Sequence, residues 1–375
     1  MASRPTLLVL PLVVVAVLAA CATDPAPADS ADGTGPVTVE ATDDACTLSS
    51  TELDAGITTF AITNAGAEVT EVYVYEGERI VTEKENIGPG TSYELTVDLT
   101  EGGYEVACKP GMVGDGIRTD VVVAAAPAPA EADPLGDEAV ADYRAYVQSQ
   151  ADLLPGLVEQ LRAAVAAGDR ATAQSLYAPS RVPWEAIEPV AESFGDLDPR
   201  IDVREADLEP GQAFTGWHRI EKALWQGEDL AGVVGTADQL LADVVELQQR
   251  TPNAAMTPVS IGNGAKELLD EVATGKITGE EEAFSHTDLV DFQANLDGAA
   301  QAFTVLRPLV ERNDPELATT LDAEFAAVQD ALDPYRVGAG FVAYDTVPEA
   351  GRQDLARAVD SLGEPLSRLA AAAAG

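Results

Sequence analysis

The sequence predicts a multidomain chain: an all-β sandwich followed by an all-α helical domain. Between Val37 and about Val123, short β-branched and aromatic runs are broken by Gly and Asn at the spacing of an antiparallel sandwich. Beyond Gly136, apolar residues recur at helical period. Between the two stretches, Ala124 to Gly136 (Ala-Ala-Ala-Pro-Ala-Pro-Ala-Glu-Ala-Asp-Pro-Leu-Gly) has the composition of a linker.

The elements follow in chain order. Arg4 precedes an apolar run from Leu7 to Ala20 of about fourteen residues, short of the roughly twenty that span a bilayer. Residues 1–20 are therefore expected to be an export signal. Leu18-Ala19-Ala20-Cys21 matches a lipobox, so Cys21 is expected to carry lipid and residues 21–36 to form a flexible tether. Residues 37–123 form the sandwich, with strands expected at Ile57–Thr63, Val72–Tyr75, Tyr93–Val97 and Tyr104–Cys108. Residues 124–136 link it to a helical domain, 137–375, long enough for a substantial core. Ala139–Ala167, Leu240–Leu247 and Leu289–Leu306 read as helices within it.

Charge narrows the function. With 64 acidic and 22 basic residues the chain carries a net −42, which argues against nucleic acid as a partner and suits a protein that attracts cations. Only two histidines occur, His218 and His286. In Gly216-Trp217-His218-Arg219-Ile220-Glu221-Lys222 a helix places His218 and Glu221 on one face, where an imidazole and a carboxylate can converge on a metal. Glu185 and Glu188 make a second pair at the same spacing beside Trp184 and Ile187, with Asp202 following. Turned inward, such carboxylates need a cation; turned outward, they are a solvated face. His286, with Asp288 and Asp291, is read as structural in preference to a second metal site, with Ser285 or Thr287 capping the helix that starts there.

At these residues the chain resembles a known family. Residues 137–375 resemble an imelysin-type domain, and the whole layout is similar to the EfeO-type lipoproteins of bacterial iron uptake. The likeness rests on His218-Arg219-Ile220-Glu221 followed by Lys222-Ala223-Leu224-Trp225, on Trp184 to Pro189, on Phe194-Gly195-Asp196-Leu197-Asp198, and on Ser285 to Asn295. Glu85-Asn86-Ile87-Gly88-Pro89-Gly90 resembles the cupredoxin-like domain of the same proteins. The resemblance implies a cupredoxin-like Greek-key sandwich ahead of an imelysin-type helical bundle. It further implies capture of Fe2+ or Fe3+ outside the cytoplasm, at the outer face of the cytoplasmic membrane, and delivery to a membrane iron permease with a haem-containing peroxidase as partner. Carried over residue by residue, its metal ligands are His218, Glu221, Glu185, Glu188 and Asp202. Such a carboxylate-rich set suits a hard cation.

Residues 37–123 contain no histidine, so the sandwich lacks the ligands of a blue-copper centre. Cys46 and Cys108 have two readings. As cysteines of an exported chain they form a disulfide; by the family resemblance they join Glu71, with Met112 nearby, in a second metal site for copper or zinc. The chain departs from the family pattern before Cys108, at Val106 and Ala107. No His-Glu-x-x-His motif occurs, so a binding protein is favoured over a metallopeptidase. A polysaccharide-binding lipoprotein with a structural metal is the remaining alternative.

Overall fold

The computed structural model describes residues 35–126, 133–208 and 211–375. The expected signal segment, Cys21 with nearly all of the tether, and the middle of the linker lie outside the described residues. Among those described, no helix is long and apolar enough to cross a membrane.

Nine strands build the amino-terminal part: β1 (Val37–Ala41), β2 (Cys46–Leu48), β3 (Glu52–Asp54), β4 (Gly56–Asn64), β5 (Thr70–Glu76), β6 (Arg79–Ile87), β7 (Ser92–Leu99), β8 (Gly102–Pro110) and β9 (Ile117–Ala124). They form a four-stranded sheet, β2-β1-β4-β7, and a five-stranded sheet, β3-β9-β8-β5-β6. The chain crosses between sheets after β2, β3, β4, β6 and β7, so the all-β sandwich of the sequence reading is present, although β1 pairs with β4 and β3 with β9 in parallel where an antiparallel sandwich was expected. Side chains that alternate along the strands fill the space between the sheets: Val37, Val39 and Ala41, then Phe60 and Ile62, Val72 and Val74, Leu95, Val97 and Leu99.

A disulfide joins Cys46 on one sheet to Cys108 on the other. Of the two readings of these cysteines the structure takes the disulfide, which leaves no thiolate for copper or zinc. Glu71 could not have joined them in any case. Cys108 pairs with Val72, and both belong to the core. Glu71, one residue earlier, projects from the opposite face of β5, where its carboxylate accepts from the Tyr73 hydroxyl at 3.2 Å. Replacing both cysteines with Ala is expected to cost about 2–5 kcal/mol, since the bridge closes a long loop; urea denaturation of the two forms measures it.

The second part is helical: α1 (Pro134–Ala166), α2 (Arg170–Glu185), α3 (Glu188–Glu192), α4 (Asp198–Ile201), α5 (Gly216–Trp225), α6 (Val234–Arg250), α7 (Pro258–Glu271), α8 (Asp288–Asn313), α9 (Pro315–Leu332), α10 (Glu349–Leu366) and α11 (Leu369–Ala374). Asp133 caps α1 through the Leu135 amide, and a Thr257/Ser260 capping box starts α7. One apolar core gathers around α7 to α11 and the start of α1; a second gathers the rest of α1 with α2, α5 and α6. After α7 the chain widens into a π-type turn, with Ile277 N–H donating to the Val272 carbonyl at 2.9 Å. Such turns recur at functional sites, and this one buries Lys276.

Helix α7 also seats the sandwich. The Asn263 side chain donates to the Thr96 carbonyl at 2.8 Å and to Thr82 Oγ1 at 3.1 Å, and Lys84 pairs with Asp270 at 2.6 Å. The outer face of the five-stranded sheet, with Glu71, Glu83 and Glu85, thereby shares a cleft with helical-domain carboxylates.

Candidate metal centre

Charged side chains collect where α2 and α5, from one apolar core, face α8, from the other. Helix α5 is placed by its first residues. Thr215 Oγ1 donates to the Arg200 carbonyl at 2.9 Å, and Gly216 adopts a φ of +73° directly against the Ile201 carbonyl. No side chain fits there, and the left-handed φ itself favours glycine. This contact sets Asp202, which follows α4, beside His218 on the first turn of α5. Gly216→Ala is expected to push the two segments apart, costing about 2 kcal/mol or more and weakening any metal bound at His218. Thermal melting together with metal titration checks both effects.

Trp217, Ile220, Ala223 and Leu224 turn into the apolar core, leaving His218 and Glu221 on the polar side. His218 is 2% exposed. Its Nε2 lies 3.3 Å from Asp202 Oδ1 and 3.6 Å from Glu281 Oε1, and its Nδ1 lies 3.5 Å from Glu221 Oε2. None of these contacts is a hydrogen bond, so both ring nitrogens and Glu221 Oε2 are buried without one. Burial opposes charge on the ring, but Asp202 and its neighbours outweigh it and push the His218 pKa up to about 9. Glu221 Oε1 is held by the backbone N–H groups of Phe284 at 2.9 Å and Ser285 at 2.6 Å. Burial pushes this carboxyl up, but His218 and those amides bring it below its ordinary value. Glu281 shows the same balance: burial is opposed by Lys276 and His218, and it ends well below the usual carboxylate range.

The predicted residues are only partly brought together. His218, Glu221 and Asp202 converge. Glu185 does not reach the imidazole: it pairs with Arg181 one turn earlier on α2 and with Lys276 at 3.2 Å. The inward-facing carboxylate does meet a cation, supplied by the chain itself. Glu188 lies further out, 4.0 Å from Lys276, and groups with Glu192 and Asp198. Their place beside His218 is taken by Glu281 and Glu282. His218 belongs to two candidate ligand groups, one with Asp202 and Glu281, the other with Glu221 and Glu282.

Arg181 was not singled out by the sequence, yet it is the hub. Its fully buried guanidinium contacts Glu185 and Asp202, with Glu282 at 2.8 Å, Asp291 at 3.2 Å and Glu281 at 3.4 Å. Glu281 and Glu282 sit in Gly279-Glu280-Glu281-Glu282, which reads as a solvated charge run. The run of three acids just before the Ser285-His286 signature was the available signal. His286 itself has a φ of +59° and belongs to none of the candidate metal groups among the described residues. The expected cap there is corrected: Thr287 precedes α8 without a side-chain cap bond, while Ser285 Oγ donates to Glu282 Oε2 at 2.8 Å. Asp288 and Asp291 turn inward, Asp288 accepting the Glu282 N–H at 3.2 Å.

The two groups around His218 differ in access. Asp202 and Glu281 line the cleft shared with the sandwich. Both Glu282 oxygens are engaged, by Arg181 and Tyr177 on one side and Ser285 on the other. An ion entering from the cleft would meet Nε2, Asp202 and Glu281. Their spacing of 3.3 and 3.6 Å is compatible with metal bonds of about 2.1 Å. Glu221 would then hold the opposite ring nitrogen, as carboxylates do behind metal-bound histidines.

With this geometry in place, comparison with known proteins decides the family. Residues 139–369 match the imelysin family model and residues 10–123 the cupredoxin-like domain model. The iron uptake system component EfeO of Escherichia coli O157:H7 is 40% identical over 339 residues, covering 89% of this chain and 90% of that protein. The chain belongs to the EfeO family. The EfeO proteins of Escherichia coli K12 and Shigella flexneri are each 39% identical over the same length. As an EfeO-family chain it has the cupredoxin-like and imelysin domains that the sequence reading expected, in that order.

Proposed function

We propose that this protein is an iron-binding component of an Efe-type uptake system. It captures Fe2+ or Fe3+ outside the cytoplasm at His218 and passes it to a membrane permease, with a haem peroxidase as a further partner. The observation that carries this reading is the set of buried, unbonded atoms at the centre, His218 Nδ1 and Nε2 and Glu221 Oε2. Buried polar atoms are ordinarily satisfied; a cation seated on Nε2 would satisfy that nitrogen and fix the ring proton on Nδ1, facing Glu221 Oε2. One nitrogen with several carboxylate oxygens suits iron as cargo, and the relatives named for iron uptake support that choice of metal. The excess of carboxylates over Arg181, Lys276 and Arg204 leaves room for further positive charge. Binding is favoured over peptide hydrolysis because the chain has no His-Glu-x-x-His motif and its buried carboxylates are largely committed to Arg181 and Lys276. Anchoring through lipid on Cys21 belongs to the same reading.

The proton on His218 supplies the test. With a pKa of about 9, the empty site holds an imidazolium at neutral pH, and an ion on Nε2 must displace a proton. Affinity therefore falls as the pH drops below that value, by about tenfold per unit for this one proton. Calorimetry with Fe2+ in buffers of different ionisation enthalpy counts the protons released. We expect about one per ion at pH 7; binding without proton release, together with unchanged affinity in His218→Ala, would exclude His218 as the ligand.

A further inference from the structure

Among the described residues, Arg181, Lys276 and Arg204 are the chain's own cations on the carboxylates around His218, and they differ in access. The side chains of Arg181 and Lys276 are fully buried, whereas that of Arg204 is 32% exposed and lines the cleft that leads to Asp202 and Glu281. Arg204 follows Asp202 by two residues, in extended backbone ahead of a short 3-10 turn. Its guanidinium donates to Asp207 Oδ2 at 2.5 Å and to Glu281 Oε2 at 3.1 Å.

Glu281 therefore divides its two oxygens. Oε1 faces inward, 3.6 Å from His218 Nε2, 3.4 Å from Arg181 and 3.8 Å from Lys276. Oε2 accepts from Arg204 on the cleft side. Room for this contact is kept by Gly275, in the π-type turn after α7. A Cβ there would lie 2.9 Å from Arg204 Nη1 and 3.1 Å from Glu281 Oε2. The Gly275 backbone is not left-handed, so space and not conformation calls for glycine. A guanidinium on Glu281 opposes an ion at His218 in two ways: it neutralises charge that the ion would use, and it repels the ion over a short distance. Arg181 and Lys276 are fixed by burial, but Arg204 has solvent beside it, and its partner Asp207 is itself half exposed.

We propose that Arg204 is the release residue of this centre. It competes with a bound ion for Glu281, so that the ion is held weakly enough to be passed on. Arg204 swings toward the cleft as an ion enters and returns to Glu281 Oε2 as the ion leaves. The role rests on His218 being the seat of the ion, as proposed for the centre.

Anaerobic calorimetry of the full chain with Fe2+, and stopped-flow release of the bound Fe2+ to ferrozine, test this. Arg204→Gln removes the charge while Glu281 retains Arg181 and Lys276, so the variant is expected to fold; circular dichroism checks this, and Arg204→Met serves as a second neutral variant. We expect the neutral variants to bind Fe2+ about tenfold more tightly, or better, and to release it correspondingly more slowly. Arg204→Lys keeps the charge and should return both values to within about threefold of wild type. An ion pair that only braced the site would give the opposite sign, because its loss would loosen Asp202 and Glu281 and weaken binding. Unchanged or weaker binding by the neutral variants, or equal tightening by Arg204→Lys, would overturn the proposal, as would loss of folding in both neutral variants. The His218→Ala/Glu221→Ala protein separates the two claims. If it binds Fe2+ as wild type does, the His218 reading falls and takes this role with it. If it loses Fe2+ and the neutral Arg204 variants fail to tighten, only the release role falls.

Discussion

The His218→Ala/Glu221→Ala protein is expected to bind iron at least about 100-fold more weakly than wild type. His218 supplies the only nitrogen in the group, and Asp202 and Glu281 already share Arg181 and Arg204. Without the imidazole, the remaining oxygens have no reason to release those cations for an ion. Glu221→Gln alone tests the finer geometry. If Glu221 orients the ring through Nδ1 and does not ligate, its amide should lower affinity by about 10- to 100-fold while leaving proton release intact. Calorimetry with Fe2+ under anaerobic conditions reads both variants. Equal affinity in wild type and double variant would remove His218 from the account.

The largest expected effect on stability is at Arg181. Replacing it with Met, which roughly keeps its apolar stem, is expected to destabilise the helical domain by about 3–5 kcal/mol, because it leaves buried carboxylates uncompensated. Glu185, Asp202, Glu282 and Asp291 all lose their contact with one guanidinium. Urea denaturation at pH 7 measures the difference. A change below about 1 kcal/mol would mean that the buried carboxylates do not need Arg181 to neutralise them. Such an outcome would also weaken the case for an anionic seat beside His218.

The sandwich was legible because its strands alternate: Val72 and Val74 point in while Tyr73 and Tyr75 point out, and period two is visible in sequence. The long helices were legible for the same reason at period 3.6. His218, Glu221 and Asp202 were within reach because histidine is so scarce and the i, i+3 pairing is local. What stayed hidden depends on tertiary contact. Nothing local in Gly279-Glu280-Glu281-Glu282 says that the segment folds back through a π-type turn to place Glu281 at Nε2. The pairing of Arg181 with Glu185 is local at i, i+4, but its burial among carboxylates from three other segments is not. Glu185 and Glu188 share a spacing with His218 and Glu221, yet α2 ends at Glu185. The break before α3 sends Glu188 to the seam with the sandwich, so the two carboxylates do not share a helical face.

Anomalous diffraction at the iron edge, from crystals grown with Fe2+ under anaerobic conditions, tests iron binding at His218 most directly. A peak is expected about 2.1 Å from His218 Nε2, between Asp202 and Glu281, with Glu221 facing Nδ1. A peak on the Nδ1 side between Glu221 and Glu282, or no peak at His218 in iron-saturated crystals, would contradict it.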